Sequence, residues 1–245
     1  MIARLTVRNY RGRDVPAVLS FALLAGGVGT TALASALGPV PAAGLVADGA
    51  AGLVFVAGLV DDLVAGGPRG IRGHLRELAQ GRVSSGVVKL IVVAAASVLT
   101  VAASSRRDAF VRVAGVVLIA GAANLWNGLD VRPGRAIKFG VLFLPIVFSF
   151  GLRSAPFVPG VWLAALIVLP WDAGERAMLG DAGSNLLGLA IGVAAYQAMA
   201  DVSILVAAAL VLALNVVAET VTLSRAIDAI PPLRWWDRLG RPPEP

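Results

Sequence analysis

Three polar segments interrupt an otherwise apolar 245-residue chain, each at the end of a hydrophobic run: GLVDDL (58–63), NLWNGLD (124–130) and MLGDAGS (178–184). An ionised carboxylate at membrane depth costs about 3 kcal/mol on insertion scales, so acids kept there commonly serve a metal ion, an ion path or catalysis. Adjacent side chains on a helix diverge by about 100°. Asp61 and Asp62 are therefore expected to do different things, one approaching a divalent cation while the other takes a proton or orients the first. The alternative is a solvated helix end beside Arg69 and Arg72.

In the second segment Asn124, Asn127 and Asp130 recur every three residues, which predicts one helix face. Amide and carboxylate oxygens are hard ligands suited to magnesium, and amide N–H groups suit phosphate. Arg132, Arg135 and Lys138 follow around Pro133-Gly134 as a basic turn able to hold phosphates, with ordinary capping and loop charge as the alternative. In the third segment Asp181 stands between Gly180 and Gly183, where glycine permits close backbone approach. Asp181 or Ser184 would cap a helix beginning near Asn185, and that helix N-terminus is also a phosphate seat. Metal ligation by Asp181 is the preferred reading, and the three segments read as one site.

The elements that must position these residues follow from composition. With 58% hydrophobic and 15% charged residues and a mean hydropathy of +0.82, the chain holds more apolar surface than a soluble core can use. The expected fold class is all-α: a polytopic integral-membrane helical bundle of eight spans near 15–37, 45–63, 87–104, 109–128, 136–153, 157–170, 184–200 and 202–223. If both termini are cytoplasmic, only Arg106, Arg107, Arg112 and Arg153 of the 21 Lys and Arg residues lie outside, which satisfies the positive-inside rule. All three acidic segments then face the cytoplasm. The net charge of +6 reads as topology and attraction to anionic headgroups, and argues against nucleic acid as a partner.

The chain contains no Cys, so no disulfide or thiolate site exists. It opens on a polar, Arg-rich stretch with no signal-peptide apolar region, read as a cytoplasmic loop. One transmembrane domain covers 1–245. Within it residues 224–245 form an interfacial tail, where Leu233, Trp235, Trp236 and Leu239 alternate with Arg234, Asp237, Arg238 and Arg241.

The order GLVDD, NLWNGLD, MLGDAGSNLLG, preceded by YRGR-x-VP, resembles the polyprenyl-phosphate N-acetylhexosamine-1-phosphate transferase superfamily over roughly residues 8–223. GDAGSNLLG is the most specific piece. The resemblance implies a magnesium-dependent enzyme, with manganese as an alternative ion. It would move a sugar-1-phosphate from a nucleotide sugar, of the UDP-linked kind, to a polyprenyl phosphate, releasing the nucleoside monophosphate and initiating a cell-envelope glycan. It also implies a multi-pass protein of a bacterial cytoplasmic membrane, for which a homodimer is one form. Asp61 and Asp62 match the family's catalytic pair, the first placed to deprotonate or position the lipid phosphate. Asp181 matches the magnesium-binding acid, and Asn127 lies where it would reach the same metal. Asn124, Asp130, Lys89, Arg132, Arg135 and Lys138 are the expected substrate contacts, Lys89 toward lipid or diphosphate oxygens.

Two departures from the family pattern are expected: the chain reads as starting at the YRGR loop, without the family's span ahead of it, and as lacking the late His-rich loop. The single histidine, His74, reads as a surface loop residue. Two other classes compete. A non-catalytic relative would bind polyprenyl phosphate or a membrane partner, and an ion-coupled transporter would use intramembrane acids, for which Asp48 and Glu219 are the candidates. The DGxxAR and NDxxD strings of CDP-alcohol phosphotransferases and UbiA-like prenyltransferases are not present.

Overall fold

The structure is a computed structural model describing residues 5–64, 70–104, 107–149 and 154–242, without the side chains of 70–72, 74 and 75. Arg4, Arg69, Arg106 and Arg153, and the side chains of Arg72 and His74, lie outside the described residues. A short antiparallel hairpin, β1 (Thr6–Arg8) and β2 (Asp14–Pro16), is followed by α1 (Leu19–Ala36), α2 (Ala42–Leu63), α3 (Gly70–Ala79), α4 (Ser85–Ser104), α5 (Ala109–Leu129) and α6 (Arg135–Val141). Then come α7 (Leu144–Val147), α8 (Phe157–Ala173), α9 (Gly180–Ala198), α10 (Asp201–Thr220), α11 (Leu223–Ala229) and α12 (Pro231–Arg238). The protein is predominantly helical. Among the described residues, five helices, α1, α2, α4, α5 and α10, are long and apolar enough to cross a membrane.

α9 is the hub of the bundle: every residue from Ala182 to Tyr196 is buried. Its small residues let neighbours approach closely. A Cβ on Gly188 would sit 2.6 Å from the Cα of Ala123 in α5, and one on Gly58 of α2 would sit 2.5 Å from the Cα of Ala182. Such contacts between small residues are how helices associate where no hydrophobic drive separates helix from surroundings. They also bring the carboxyl ends of α2 and α5 to the N-terminus of α9.

The direction of α8 follows from two contacts. The N–H of Phe157 at its start donates to Asp48 at 3.3 Å, and Asp48 lies 14 residues, about 21 Å, before Asp62 on α2. Asp172 near its far end accepts from the N–H of Gly134, just past α5. α8 thus runs back toward the acidic end, from which α6 and α7 set out as two short helices. Over residues 136–149, the described part of the span read at 136–153, two short helices stand in place of a continuous one, with Pro145 at the start of the second.

Four further expectations are corrected. The N-terminal loop is a hairpin, its turn closed by Asn9, whose side-chain oxygen accepts the N–H groups of Arg11 and Arg13, and by Gly12 at φ 74°. The segment read as a loop around His74 is α3, a short amphipathic helix. α8 continues through Pro170 to Ala173, longer than read. α9 begins at Gly180, a turn earlier than the start read near Asn185.

Candidate active site

The N-terminus of α9 is capped from another helix. Both carboxylate oxygens of Asp62 accept backbone N–H groups there, Asp181 at 2.7 Å and Ala182 at 3.0 Å, so neither Asp181 nor Ser184 is the cap. Such a carboxylate satisfies two otherwise orphaned donors and faces the positive end of the helix dipole. Gly180 makes this possible. Its φ of 66° lies in the left-handed region, and a Cβ would stand 2.8 Å from Asp62 Oδ2.

Asp61, rotated round the helix, has different partners, as the helical geometry requires. Its Oδ1 accepts from Ser85 Oγ at 2.5 Å and its Oδ2 from Lys89 Nζ at 2.6 Å. Ser85 and Lys89 are one turn apart on α4, so a single face of that helix delivers both. The same ammonium donates to Asp181 Oδ2 at 2.5 Å, bridging two acids 120 residues apart in the chain. Asp181 Oδ1 accepts from Asn127 Nδ2 at 2.8 Å, and Asn127 also reaches Ser184 Oγ at 3.2 Å. Four helices thus meet at one point: α2, α4, α5 and α9. The Asp181 side chain is 36% exposed, against 14% for Asp61 and 10% for Lys89.

Asp130, which caps the end of α5, faces the backbone of Gly180. Its burial, and after that the carboxylates of Asp172, Asp181 and Asp62, push its carboxyl well above the ordinary range. Acid density around Lys89 is therefore high, and the site holds more potential negative charge than one ammonium neutralises.

Other expected site residues lie elsewhere. Asn124 donates to Asn215 Oδ1 at 2.6 Å, a contact between α5 and α10 away from the acids. Successive steps of three lag the helical turn by about 60° each, so Asn124 and Asp130 are some 120° apart and do not share one face. Arg132 lies over the Tyr10 ring, 4.3 Å from its centroid. Arg135 is buried and grips Asp237 of α12 with two bonds of 2.7 Å, adding Ser224 Oγ at 2.7 Å. Lys138 donates to the carbonyls of Asp237 and Leu239. In place of the expected substrate contact, Arg135 and Lys138 anchor the tail. The tail is in turn a docked pair of short helices, with Trp235 exposed and Asp237 buried.

Sequence reasoning passed over Ser85, Asp172 and Asp237. Ser85 carries a signal, its four-residue spacing to Lys89, and Asp172 another, an acid closing an apolar run like those of the three segments. Asp237 carries none, because its partner is 102 residues away. The transporter candidate Asp48 accepts from Thr31 Oγ1 at 2.7 Å and caps the start of α8.

Among the described residues, no three His, Cys, Asp or Glu side chains are grouped to hold a metal ion by themselves. The donors at the α9 end, carboxylates of Asp61 and Asp181 with the Asn127 amide, fit the sparser arrangement of magnesium, which commonly takes one or two protein carboxylates and completes its shell with water and substrate phosphate. The ammonium bridging Asp61 and Asp181 marks where positive charge is already stabilised. No family profile, curated protein or solved structure matches the chain.

Proposed function

We propose that the chain is a membrane-embedded phosphoglycosyltransferase of the polyprenyl-phosphate hexosamine-1-phosphate type, a bundle crossing a bacterial cytoplasmic membrane eight times with both ends inside. The observation that carries this reading is the convergence of Asp61, Asp62, Asn127 and Asp181, from three separated motifs, around Lys89 and one helix N-terminus. A phosphoryl transfer between two anions needs charge neutralisation and alignment more than covalent assistance, and this is a cluster of cation-attracting groups beside an ammonium and a helix dipole.

The lipid phosphate oxygen attacks the phosphorus that carries the sugar. The bond from that phosphorus to the nucleoside monophosphate breaks, and the products are a lipid diphosphate sugar and the free monophosphate. Asp181 and Asn127 would hold magnesium, which supplies Lewis-acid neutralisation of the phosphate oxygens when bound. Lys89, released from one of its two acids, turns its ammonium to the diphosphate. Asp61, freed in the same exchange, takes a proton from or orients the lipid phosphate. Asp62 keeps the start of α9 in place and is a positioning residue, because both its oxygens are committed to backbone.

The test is purified protein with magnesium, undecaprenyl phosphate and radiolabelled nucleotide sugars, alongside Asp61→Asn and Asp181→Asn. Lipid-linked product that disappears in both variants supports the enzyme. A second reading, a non-catalytic binder of polyprenyl phosphate, is favoured by one observation: every carboxylate oxygen of Asp61 and Asp181 already accepts a hydrogen bond. It predicts lipid binding without turnover on any donor.

A further inference from the structure

We propose that Glu175, in the loop between α8 and α9, is a positioning residue for Asp181: its side chain ties that loop to the N-terminal hairpin, and the hairpin thereby sets where the start of α9 presents the Asp181 carboxylate. The inference rests on the transferase reading, in which Asp181 holds magnesium, and names what holds Asp181.

The backbone gives the first sign. α8 ends in a Schellman motif, in which the N–H of Glu175 donates to the carbonyl of Asp172 at 3.1 Å and the N–H of Arg176 to that of Trp171 at 3.0 Å. The residue just past the cap of such a motif takes a left-handed backbone and is usually glycine, because a Cβ there crowds the following carbonyl. Here it is Glu175, at φ 57°, the one non-glycine residue in that region among the described residues, although Gly174 stands beside it at φ −80°. A side chain kept where glycine would sit without strain points to a use for that side chain.

The use is a clamp. Glu175 Oε1 accepts from Tyr10 Oη at 2.9 Å and lies 3.0 Å from Arg11 Nε, which also donates to Tyr10 Oη at 2.6 Å. The Glu175 and Arg11 side chains are 6% and 12% exposed, so this charge-assisted contact is shielded from water. Arg11 Nη2 donates in addition to the carbonyl of Pro242 at 3.2 Å, and the docked tail backs the clamp. Three residues on, the hairpin end of the chain grips the loop again through backbone: the N–H of Met178 donates to the carbonyl of Pro16 at 2.9 Å, and the N–H of Leu19 to the carbonyl of Met178 at 3.2 Å. Only Leu179 and Gly180 separate that grip from Asp181. A loop held at 175 and 178 leaves Asp181 little freedom, and the hold at 175 is the one made by a side chain.

Glu175→Gly and Glu175→Ala test this in the detergent-purified full chain. Both remove the clamp, but only alanine retains the left-handed strain, so the pair separates positioning from stability: the glycine variant should melt at a higher temperature than the alanine variant. Hydrogen exchange in EDTA should be faster than wild type over residues 178–182 in both. Both should also raise the magnesium concentration for half-maximal turnover at least about tenfold, with kcat at saturating magnesium little changed. Glu175→Gln keeps an acceptor for Tyr10 Oη and should stay nearer wild type, while Tyr10→Phe shifts the magnesium response in the same direction as alanine. A magnesium response that follows melting temperature, normal in the glycine variant and altered only in alanine, would overturn the proposal, as would wild-type exchange over 178–182 in both variants. If the wild type turns over no nucleotide sugar, the transferase reading fails by itself, and exchange still decides whether Glu175 places the start of α9.

Discussion

Two charged clusters lie at the same end of this bundle, and they are built oppositely. Around Arg135 and Asp237 the ion pair is bidentate, with side-chain exposures of 1% and 2%, and Ser224 closes one remaining guanidinium donor. Around Lys89 a single ammonium is shared by two acids from different helices, one of them 36% exposed. A buried, saturated pair locks two segments together and loses heavily when one partner is removed. A shared ammonium beside a partly exposed acid still holds one carboxylate when it leaves the other. The first arrangement holds structure, and the second is fit to respond to an arriving ligand.

The sharpest break in that comparison is at Arg135. Arg135→Leu leaves the Asp237 carboxylate buried without its main partner, and the tail should lose about 3–5 kcal/mol of docking, read as rapid proteolysis between residues 222 and 240. Asp181→Asn, in contrast, should leave thermal stability close to wild type while lowering transferase turnover on the order of 100- to 1,000-fold; a large fall in melting temperature would make Asp181 a structural residue like Asp237. Between these extremes lies Asp62→Asn. It keeps the shape but leaves one N–H of the α9 start without its acceptor, a loss of about 1 kcal/mol measurable as a lower Tm in detergent. Gly180→Ala should cost about 1–2 kcal/mol through the left-handed backbone alone, with further displacement of Asp62.

The smallest effect is a pH dependence of the tail. Burial acts to raise the Asp237 carboxyl, but the guanidinium groups of Arg135 and Arg241 outweigh it and hold it below its ordinary value. A depressed carboxyl contributes stability that is fully present above the unfolded value, near pH 4, and is lost as pH falls through the lower folded value. Tail protection from proteolysis should therefore be flat from neutrality down to about pH 4 and decline below it. A decline already between pH 6 and 5 would contradict the pairing.

Much of the site was legible because acids at the ends of apolar runs are few, and helices of similar length bring their ends together at two levels only. Asp61, Asp62, Asn127 and Asp181 could be grouped on that ground. Asn124 could not be separated from Asn127 without knowing which neighbour packs where, since a three-residue repeat spreads round the helix and its outer members meet different partners. Arg135 and Lys138 carry the same charge whether they face a substrate or a tail. The start of α9 was read late because the usual capping residues follow it, while the true cap, Asp62, comes from α2.

Apolar composition and the periodic return of long hydrophobic runs determined by themselves that this is a helical bundle suited to a membrane, and that its polar chemistry is confined to helix ends. Which of those polar groups meet was decided by tertiary packing. The close approach at Gly58 and Gly188 seats α9 between α2 and α5, and only then can a carboxylate on one helix reach the free N–H groups of another. Local sequence sets what a side chain can bond to, but a bond across 119 residues exists only when the backbones come within a few ångströms.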